Sequence, residues 1–170
     1  MNDYRPEDHP SAQKATPSLK VTRVGKQLGF GKYGKLYKVE VEERDFALKI
    51  IDLTRIPSDE HKHVKGEFKA NHFFTKKAPH PFIMKAHGMR WTSEKAYILL
   101  EYLEGEELYY HLSRSRATHY KKTFLDPDNK KVAAQVMSAV AHMHDHGYMH
   151  RDIKPENVFL MKAGDVKTVV

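Results

Sequence analysis

The sequence contains no cysteine, which excludes a disulfide framework and a thiolate zinc site. It has no apolar run long enough to span a membrane and no N-terminal apolar core typical of a signal peptide. Its net charge is +7, but basic and acidic residues are interspersed, so no basic stripe favours nucleic acid. We therefore expect a soluble, intracellular, cytoplasmic protein that binds neither nucleic acid nor membrane.

The length of the chain fits one compact domain, with room for two lobes. It has 170 residues, of which 40% are hydrophobic, so it can bury a substantial core. Residues 1–18 are polar, carry three prolines and show no periodicity, which predicts a flexible tail. Ordered structure is expected to begin at residue 19.

The first half of the ordered region has the pattern of a strand meander with one helix. Tyr37, Val39 and Val41 alternate with charged residues, which predicts a strand with one buried face. The polar residues 42–45 predict a hairpin turn, and Ser58 is a candidate N-cap for a helix that ends before Pro79. Residues 83–91 and 96–103 predict two further strands.

The second half is predicted to be mainly helical. Residues 106–114 fit a short helix. Residues 128–146 carry an apolar stripe at helical spacing, formed by Val132, Val136, Val140 and Met143. The short apolar runs 158–160 and 166–170 flank a polar turn, which predicts a hairpin. The pattern indicates an α+β fold.

A glycine-rich segment, residues 28–36, contains the spacing G-x-G-x-x-G at Gly29, Gly31 and Gly34. Glycines let backbone N–H groups approach phosphate oxygens, but the motif alone is weak. A P-loop would require Ser or Thr where Leu36 stands. A P-loop or a dinucleotide fold would also continue as a helix, whereas this chain continues as a strand. A glycine-rich hairpin without a ligand is the simpler alternative.

Two residues on the next predicted strand add to this motif. Ala47 and Lys49 share a face by the period of two, which sets a small side chain beside an ammonium group. The simpler alternative for Lys49 is an exposed strand lysine, although its neighbours are apolar. Glu67, on the predicted helix, could hold Lys49 in an ion pair. The alternative is a solvated helix glutamate.

The strongest motif is His-Arg-Asp-Ile-Lys-Pro-Glu-Asn at residues 150–157. It places an acid, a lysine and an amide at the spacing that phosphoryl transfer needs. Together with the glycine segment, Lys49 and Glu67, it resembles a eukaryotic-type serine/threonine protein kinase over residues 21–170. The motif and His80-Pro81-Phe82-Ile83 are similar to the calmodulin-dependent and AGC-like groups.

This resemblance implies a small lobe built of an antiparallel sheet and one helix, followed by an incomplete, mainly helical large lobe. The expected boundaries are 1–18 for the tail, 19–103 for the small lobe and hinge, and 104–170 for the partial large lobe. The implied cofactors are ATP and Mg²⁺, and the implied partner is a protein substrate whose hydroxyl group accepts the phosphoryl group.

The resemblance also implies a role for each site residue. Asp152 accepts the hydroxyl proton, Lys154 steadies the transferring phosphoryl group, and Asn157 binds one magnesium ion. The glycines cover the phosphates, and Lys49, held by Glu67, contacts them. The residues implied around the adenine and ribose are Leu28, Leu36, Ala47, Leu100 as gatekeeper, Glu101 and Leu103 through their backbone, Glu107 at the ribose, and Phe159 as the adenine floor.

The chain also departs from the pattern of this family. Leu36 and the bulky Phe159 replace the usual Val and Leu, and Asn71 takes the place of Glu67 if the helix has no inserted turn. On the gapless register Val170 stands where the family has its metal-binding Asp-Phe-Gly aspartate, and with one extra residue that aspartate follows Val170. We therefore expect a chain truncated before this segment, in which catalytic activity is in doubt.

Two further expectations follow from that reading. Without later helices, the apolar stripe from Val132 to Met143 would be exposed, which predicts a covering partner or a tendency to aggregate. The alternative to an enzyme is a catalytically inactive, kinase-derived binding or scaffold module. A nucleotide-binding protein unrelated to kinases is a third, remote reading.

Overall fold

The computed structural model describes residues 21–31, 34–117, 127–162 and 164–168. The predicted tail, residues 1–18, lies outside the described residues. The chain forms two compact units, residues 1–62 with 88–100 and residues 63–87 with 101–170. The expected lobe boundary at residue 103 remains a prediction. No helix in the described part of the chain is long and apolar enough to cross a membrane.

A five-stranded sheet dominates the first unit. Its strands are β1 (Val21–Gly31), β2 (Gly34–Val41), β3 (Arg44–Asp52), β4 (Ala86–Trp91) and β5 (Lys95–Glu101). β2 pairs antiparallel with both β1 and β3, and the strand order is β1-β2-β3-β5-β4. The alternating pattern around Val39 and Val41 is confirmed, because both are buried and pack with Leu99 in one hydrophobic cluster.

The hairpin between β2 and β3 is tighter than the predicted turn of residues 42–45. Val41 pairs with Arg44, so only Glu42 and Glu43 form the turn. Both have positive φ angles, 49° and 62°, as the two central residues of a type I′ turn require. Asn and Gly usually fill such positions because a Cβ disfavours left-handed backbone. The fold therefore holds two glutamates in a disfavoured conformation.

Three helices and a small sheet build most of the second unit. The helices are α1 (His61–Lys76), α2 (Leu108–Ala117) and α3 (Pro127–Asp145). The antiparallel strands β6 (Gly105–Glu107), β7 (Val158–Met161) and β8 (Val166–Thr168) lie in that order. The predicted hairpin of the last two apolar runs is therefore confirmed. The α+β fold, with an antiparallel sheet and a helix followed by a mainly helical part, is confirmed as well.

Several element boundaries differ from the sequence-based expectation. Ser58 does not cap α1, because residues 58–60 form a separate 3₁₀ turn and α1 begins at His61. The helix expected from residue 106 begins at Leu108, since Gly105–Glu107 pair with β7 instead. The strand expected from Ile83 begins at Ala86, and Ile83 forms an isolated bridge with Thr168.

The core of the second unit corrects the prediction of an exposed stripe on α3. Met143 is fully buried, and Ala139 lies beside it. Both pack against Phe74 at the end of α1 and against Ala78 and Ile83 in the segment that follows. Val132, Val136 and Val140 are half-buried, and Met137 is the large apolar side chain that is exposed among the residues of this helix whose burial is described. The expected contiguous patch is therefore wrong at Met143, because the α1 segment covers it.

Candidate functional site

The glycine segment lies on β1 and at the start of β2. Gly29 pairs with Leu36, and Gly31 pairs with Gly34 around a turn whose two residues lie outside the described part. On the other side of β2, Leu36 pairs with Lys49 of β3. Directly paired residues project to the same face of a sheet. Gly29, Leu36 and Lys49 therefore form one row across three strands.

Two glycines of this segment differ in whether the fold leaves space for a side chain. A Cβ built on Gly34 would lie 2.2 Å from the backbone oxygen of Ile50, so the close approach of β2 and β3 itself requires glycine there. A Cβ on Gly29 would meet no atom of the described residues within 4 Å. Packing within the described part of the chain therefore gives no reason for glycine at position 29, whereas a ligand that approaches the backbone would.

The remaining predicted residues of this unit lie on β1, β3 and β5. Leu28 is half-buried. Ala47 and Leu100 are buried, and Lys49 is half-buried in the middle of its strand. The simpler reading of Lys49 as a fully exposed strand lysine is therefore wrong.

Glu67 and Asn71 lie one turn apart on α1. Glu67 is half-buried, whereas Asn71 is only 2% exposed, and its Nδ2 donates to the main-chain oxygen of Glu67 at 3.1 Å. The predicted ion pair between Lys49 and Glu67 would join the two compact units. Both this pair and the choice of Glu67 over Asn71 remain predictions.

Glu101 follows the buried Leu100, and its side chain is used within the protein. Its carboxylate accepts from the main-chain N–H of Lys85 at 2.8 Å and lies 3.2 Å from the ammonium of Lys167 on β8. Its own N–H donates to the carbonyl oxygen of Lys85 at 3.0 Å. Because this N–H is already used within the protein, the predicted backbone contact of Glu101 with adenine would use its carbonyl. No pattern in the sequence indicated this anchoring role of the side chain.

The small sheet brings two further predicted residues together. Glu107 on β6 pairs directly with Phe159 on β7, so both side chains share one face. Burial, reinforced by the negative charge of Glu156, raises the pKa of Glu107 above its usual value. Leu103 is half-buried in the segment that leads to β6.

The motif at residues 150–157 forms a compact polar constellation in the second unit. Asp152 Oδ2 lies 2.8 Å from Lys154 Nζ and accepts from Asn157 Nδ2, also at 2.8 Å. The amide of Asn157 donates to the main-chain oxygen of Asp152 as well, at 2.9 Å. Asn157 closes a 3₁₀ turn that begins at Pro155, which brings its side chain back toward Asp152. The structure therefore brings together all three residues that the motif analysis singled out.

The electrostatics of this loop favour its charged forms. The hydrogen bond from Lys154, followed by that from Asn157, lowers the pKa of Asp152 below its usual value. The same contact with Asp152 raises the pKa of Lys154. Asp152 is therefore held as a carboxylate, the form that accepts a proton from a hydroxyl group.

Backbone geometry helps to aim the carboxylate. Arg151 has a positive φ of 67°, a conformation that side chains disfavour and that is concentrated at functional sites. The N–H of Asp152 then donates to Nδ1 of His150 at 3.2 Å. Sequence patterns gave no signal for this left-handed residue, because arginine is not a residue that favours it.

The amide oxygen of Asn157 is suited to a hard cation. Both hydrogen bonds of its side chain use the nitrogen, which turns the oxygen away from Asp152. Amide oxygens are ligands that Mg²⁺ accepts. Among the residues described, no group of three or more His, Asp or Glu side chains is placed to hold a metal ion by itself. Asn157 could therefore supply one ligand of a magnesium site.

Comparison with known proteins identifies the family of the chain. The model of the protein kinase domain matches residues 22–169. The chain belongs to the protein kinase family. Serine/threonine-protein kinase Sgk1 from Gallus gallus and from Homo sapiens is 34% identical over 144 residues, and that from Danio rerio is 33% identical.

The matched region has the same extent in each of these relatives. It covers 83% of this protein kinase chain and 31% of each relative, so the chain spans about a third of their length. The chain thus belongs to a family of enzymes, the protein kinases, and these relatives are serine/threonine kinases. Members of the family use ATP and Mg²⁺.

Proposed function

We propose that this chain binds ATP with Mg²⁺ and takes part in the transfer of the γ-phosphoryl group to a serine or threonine hydroxyl of a protein substrate. The observation that carries the proposal is the loop in which Asp152, Lys154 and Asn157 meet within 2.8 Å contacts. A loose phosphoryl transition state requires positioning and charge neutralisation more than covalent attack. A carboxylate, an ammonium and an amide oxygen meet these requirements.

In this proposal the first unit supplies the phosphate and adenine contacts. The open space at Gly29 supports approach of a phosphate to the backbone, next to Leu36 and Lys49 in the same row. Gly31 and Gly34 complete the cover over the phosphates. Leu28, Leu36, Ala47 and Leu100 line the adenine, with Leu100 as gatekeeper.

The second unit supplies the catalytic contacts. Asp152 accepts the proton of the substrate hydroxyl, and Lys154 steadies the transferring group. Asn157 holds Mg²⁺, which neutralises charge on the phosphates. Glu101 and Leu103 contact the adenine through their backbone, Phe159 forms the adenine floor, and Glu107 faces the ribose. Glu67 orients Lys49.

We also propose a lobe boundary after residue 103, membership of the calmodulin-dependent or AGC-like group, and a cytoplasmic location. On the gapless register Val170 stands where the family has a metal-binding aspartate, and the side chain of valine offers a cation no oxygen, so on that register we propose slow transfer.

The binding test compares Lys49, which a kinase-type site would use to contact phosphate, with Lys35, which a P-loop would use. A fluorescent ATP analogue is titrated with Mg²⁺ into the wild-type chain and into Lys49→Met and Lys35→Met variants. We expect Lys49→Met to weaken binding at least tenfold and Lys35→Met, an exposed residue of β2, to change it less than twofold. The opposite order would support a P-loop, where the lysine after the last glycine contacts phosphate.

The test of transfer follows radiolabelled γ-phosphate onto a serine/threonine peptide library. Any transfer should fall about a hundredfold or more in Asp152→Asn, which keeps the shape of the side chain but loses the base. Nucleotide binding without transfer that depends on Asp152 would favour the inactive binding module. A chain that neither binds nucleotide nor transfers phosphate would refute the proposed function.

A further inference from the structure

Among the side chains described on α3, Gln135 is the polar one that is buried, with 8% of its surface exposed. Burial of an amide costs about 1–3 kcal/mol unless hydrogen bonds replace those to water. The hydrogen-bond partners of the Gln135 amide therefore have to offset this cost.

Both ends of the Gln135 amide bind the β7–β8 hairpin. Nε2 donates to Asp165 Oδ1 at 2.8 Å, and Oε1 accepts from the main-chain N–H of Val166 at 2.9 Å. Lys131, one turn earlier on α3, lies 2.9 Å from the same carboxylate. The main-chain oxygen of Asp165 accepts from Met161, which closes the hairpin. The amide therefore engages the residue at which β8 begins.

This arrangement requires a donor and an acceptor on one rigid group. A carboxamide offers both, whereas a carboxylate offers only acceptors and a thioether has no N–H or O–H to donate. Because the two atoms bind consecutive residues of the hairpin, a shift of β8 by one residue would break both bonds. Gln135 thus fixes the register of the hairpin against α3.

The hairpin with this register is directly connected to the catalytic loop. Val166 pairs with Leu160, and β7 begins at Val158, directly after Asn157. Phe159, the predicted adenine floor, lies on the same short strand. The position of Val166 therefore constrains the residues that follow the loop, and through them the side chain of Asn157.

We propose that Gln135 is a positioning residue for the magnesium side of the site. By fixing the hairpin against α3, it keeps the nitrogen of Asn157 on Asp152 and leaves the amide oxygen available to the cation. This inference rests on the proposed function, because it takes Asn157 as a metal ligand. Groups that orient metal ligands typically contribute about 10–100-fold to metal affinity or activity.

The experiment is a double-mutant cycle, and the measured quantity is the gain in nucleotide affinity that Mg²⁺ provides. Binding of the fluorescent ATP analogue to the 170-residue chain is measured with Mg²⁺ and with a chelator, and the ratio of the two Kd values is the gain. The variants are Gln135→Met, Asn157→Ala and the two combined. Lys131→Met is the matched control, because it removes the other α3 partner of Asp165 without touching Val166.

We expect Gln135→Met to reduce the gain about tenfold while binding without metal changes less than twofold. The combined variant should lose no more than Asn157→Ala alone, and Lys131→Met should retain the gain. Gln135→Glu keeps the acceptor for Val166 but not the donor, so its gain should be intermediate. Additive losses in the cycle, or equal losses with and without metal, would overturn the inference.

A second readout separates this inference from the proposed function. Exchange of the Asn157 side-chain amide protons, which donate to Asp152, is followed by NMR in the same variants. If the wild-type chain binds no nucleotide, or gains nothing from Mg²⁺, the proposed function fails and this readout decides. Faster exchange in Gln135→Met but not in Lys131→Met supports the positioning role, and unchanged exchange overturns it.

Discussion

Gly29 and Gly34 respond in opposite ways to an added methyl group, and this contrast can separate folding from nucleotide binding. At Gly34 the methyl carbon would lie 2.2 Å from the oxygen of Ile50 and 2.9 Å from its carbonyl carbon. At Gly29 it would meet no atom of the residues that the structure describes within 4 Å, and neither glycine has a positive φ. The perturbation is therefore Gly29→Ala compared with Gly34→Ala.

The expected changes in stability follow from these distances. At Gly34, β2 and β3 must separate by about 1 Å, and such overpacking costs about 1–3 kcal/mol. For a chain of this size, each kcal/mol shifts Tm by about 2–4 °C, so Tm should fall by about 2–12 °C. Gly29→Ala reduces the freedom of the unfolded chain without strain, which should add about 0.4–1 kcal/mol and raise Tm by about 1–4 °C.

The expected changes in nucleotide affinity run the other way. If a phosphate approaches the backbone at Gly29, a methyl group keeps it from the N–H groups. A hydrogen bond to a charged group contributes about 1.5–3 kcal/mol, so Gly29→Ala should weaken ATP binding about 10–100-fold. Gly34→Ala should weaken it less at a temperature where that variant is fully folded.

The assay is thermal unfolding by circular dichroism together with titration of the fluorescent ATP analogue at 15 °C. A Gly29→Ala variant that binds ATP as tightly as the wild type would refute the argument that its open space serves a phosphate. A Gly34→Ala variant with an unchanged Tm would refute the packing argument. Loss of both stability and affinity in Gly29→Ala would show that this glycine is required by the fold.

Two further predictions concern stability. Burial, followed by the nearby charge of His142, lowers the pKa of His80, whose Nδ1 accepts from the N–H of Phe82 at 3.3 Å. The unfolded state therefore takes up the proton first as pH falls below about 6.5, so the free energy of unfolding should decrease from pH 7.5 to 5.5 in urea titrations, and less steeply in His80→Gln. Glu43→Gly should raise Tm, because it relieves a left-handed residue at a cost of about 1–2 kcal/mol in the wild type, and differential scanning calorimetry measures this.

Each of these predictions has a clear contrary result. An equal pH slope in the wild type and in His80→Gln would show that other groups control the acid transition. A lower Tm for Glu43→Gly would show that the Glu43 side chain stabilises the hairpin by more than its backbone conformation costs. Glu43→Ala is the matched control, since it removes the side-chain charge but retains the Cβ.

The sequence allowed prediction of those elements whose signals are local. The alternation at Val39 and Val41 gave β2, and the 3.6-residue stripe placed α3 within one residue at each end. Boundaries set by distant partners were missed. Gly105–Glu107 form a strand because β7 lies beside them, and Ser58 enters a 3₁₀ turn after Pro57 instead of capping α1.

The candidate site likewise contains features with a local sequence signal and features that depend on distant residues or on backbone strain. The residue types and spacing of the 150–157 motif predicted a carboxylate, a lysine and an amide that act together, and these side chains do meet. Neither the left-handed Arg151 nor the hydrogen bonds of Gln135 could be predicted. The first depends on backbone strain, and the second joins residues 30 and 31 positions apart. Burial of Met143 was missed for the same reason, because its cover comes from the end of α1.

The order in which the chain passes between the two compact units limits how the protein can be dissected. Residues 88–100 complete the first unit after the chain has already entered the second, and β5 lies between β3 and β4 in the sheet. A fragment cut at any single peptide bond therefore leaves at least one unit incomplete. During synthesis, the sheet would also remain incomplete until residue 101, because β5 is the strand that joins β4 to β3. Expression of either unit alone would require a circularly permuted or spliced gene.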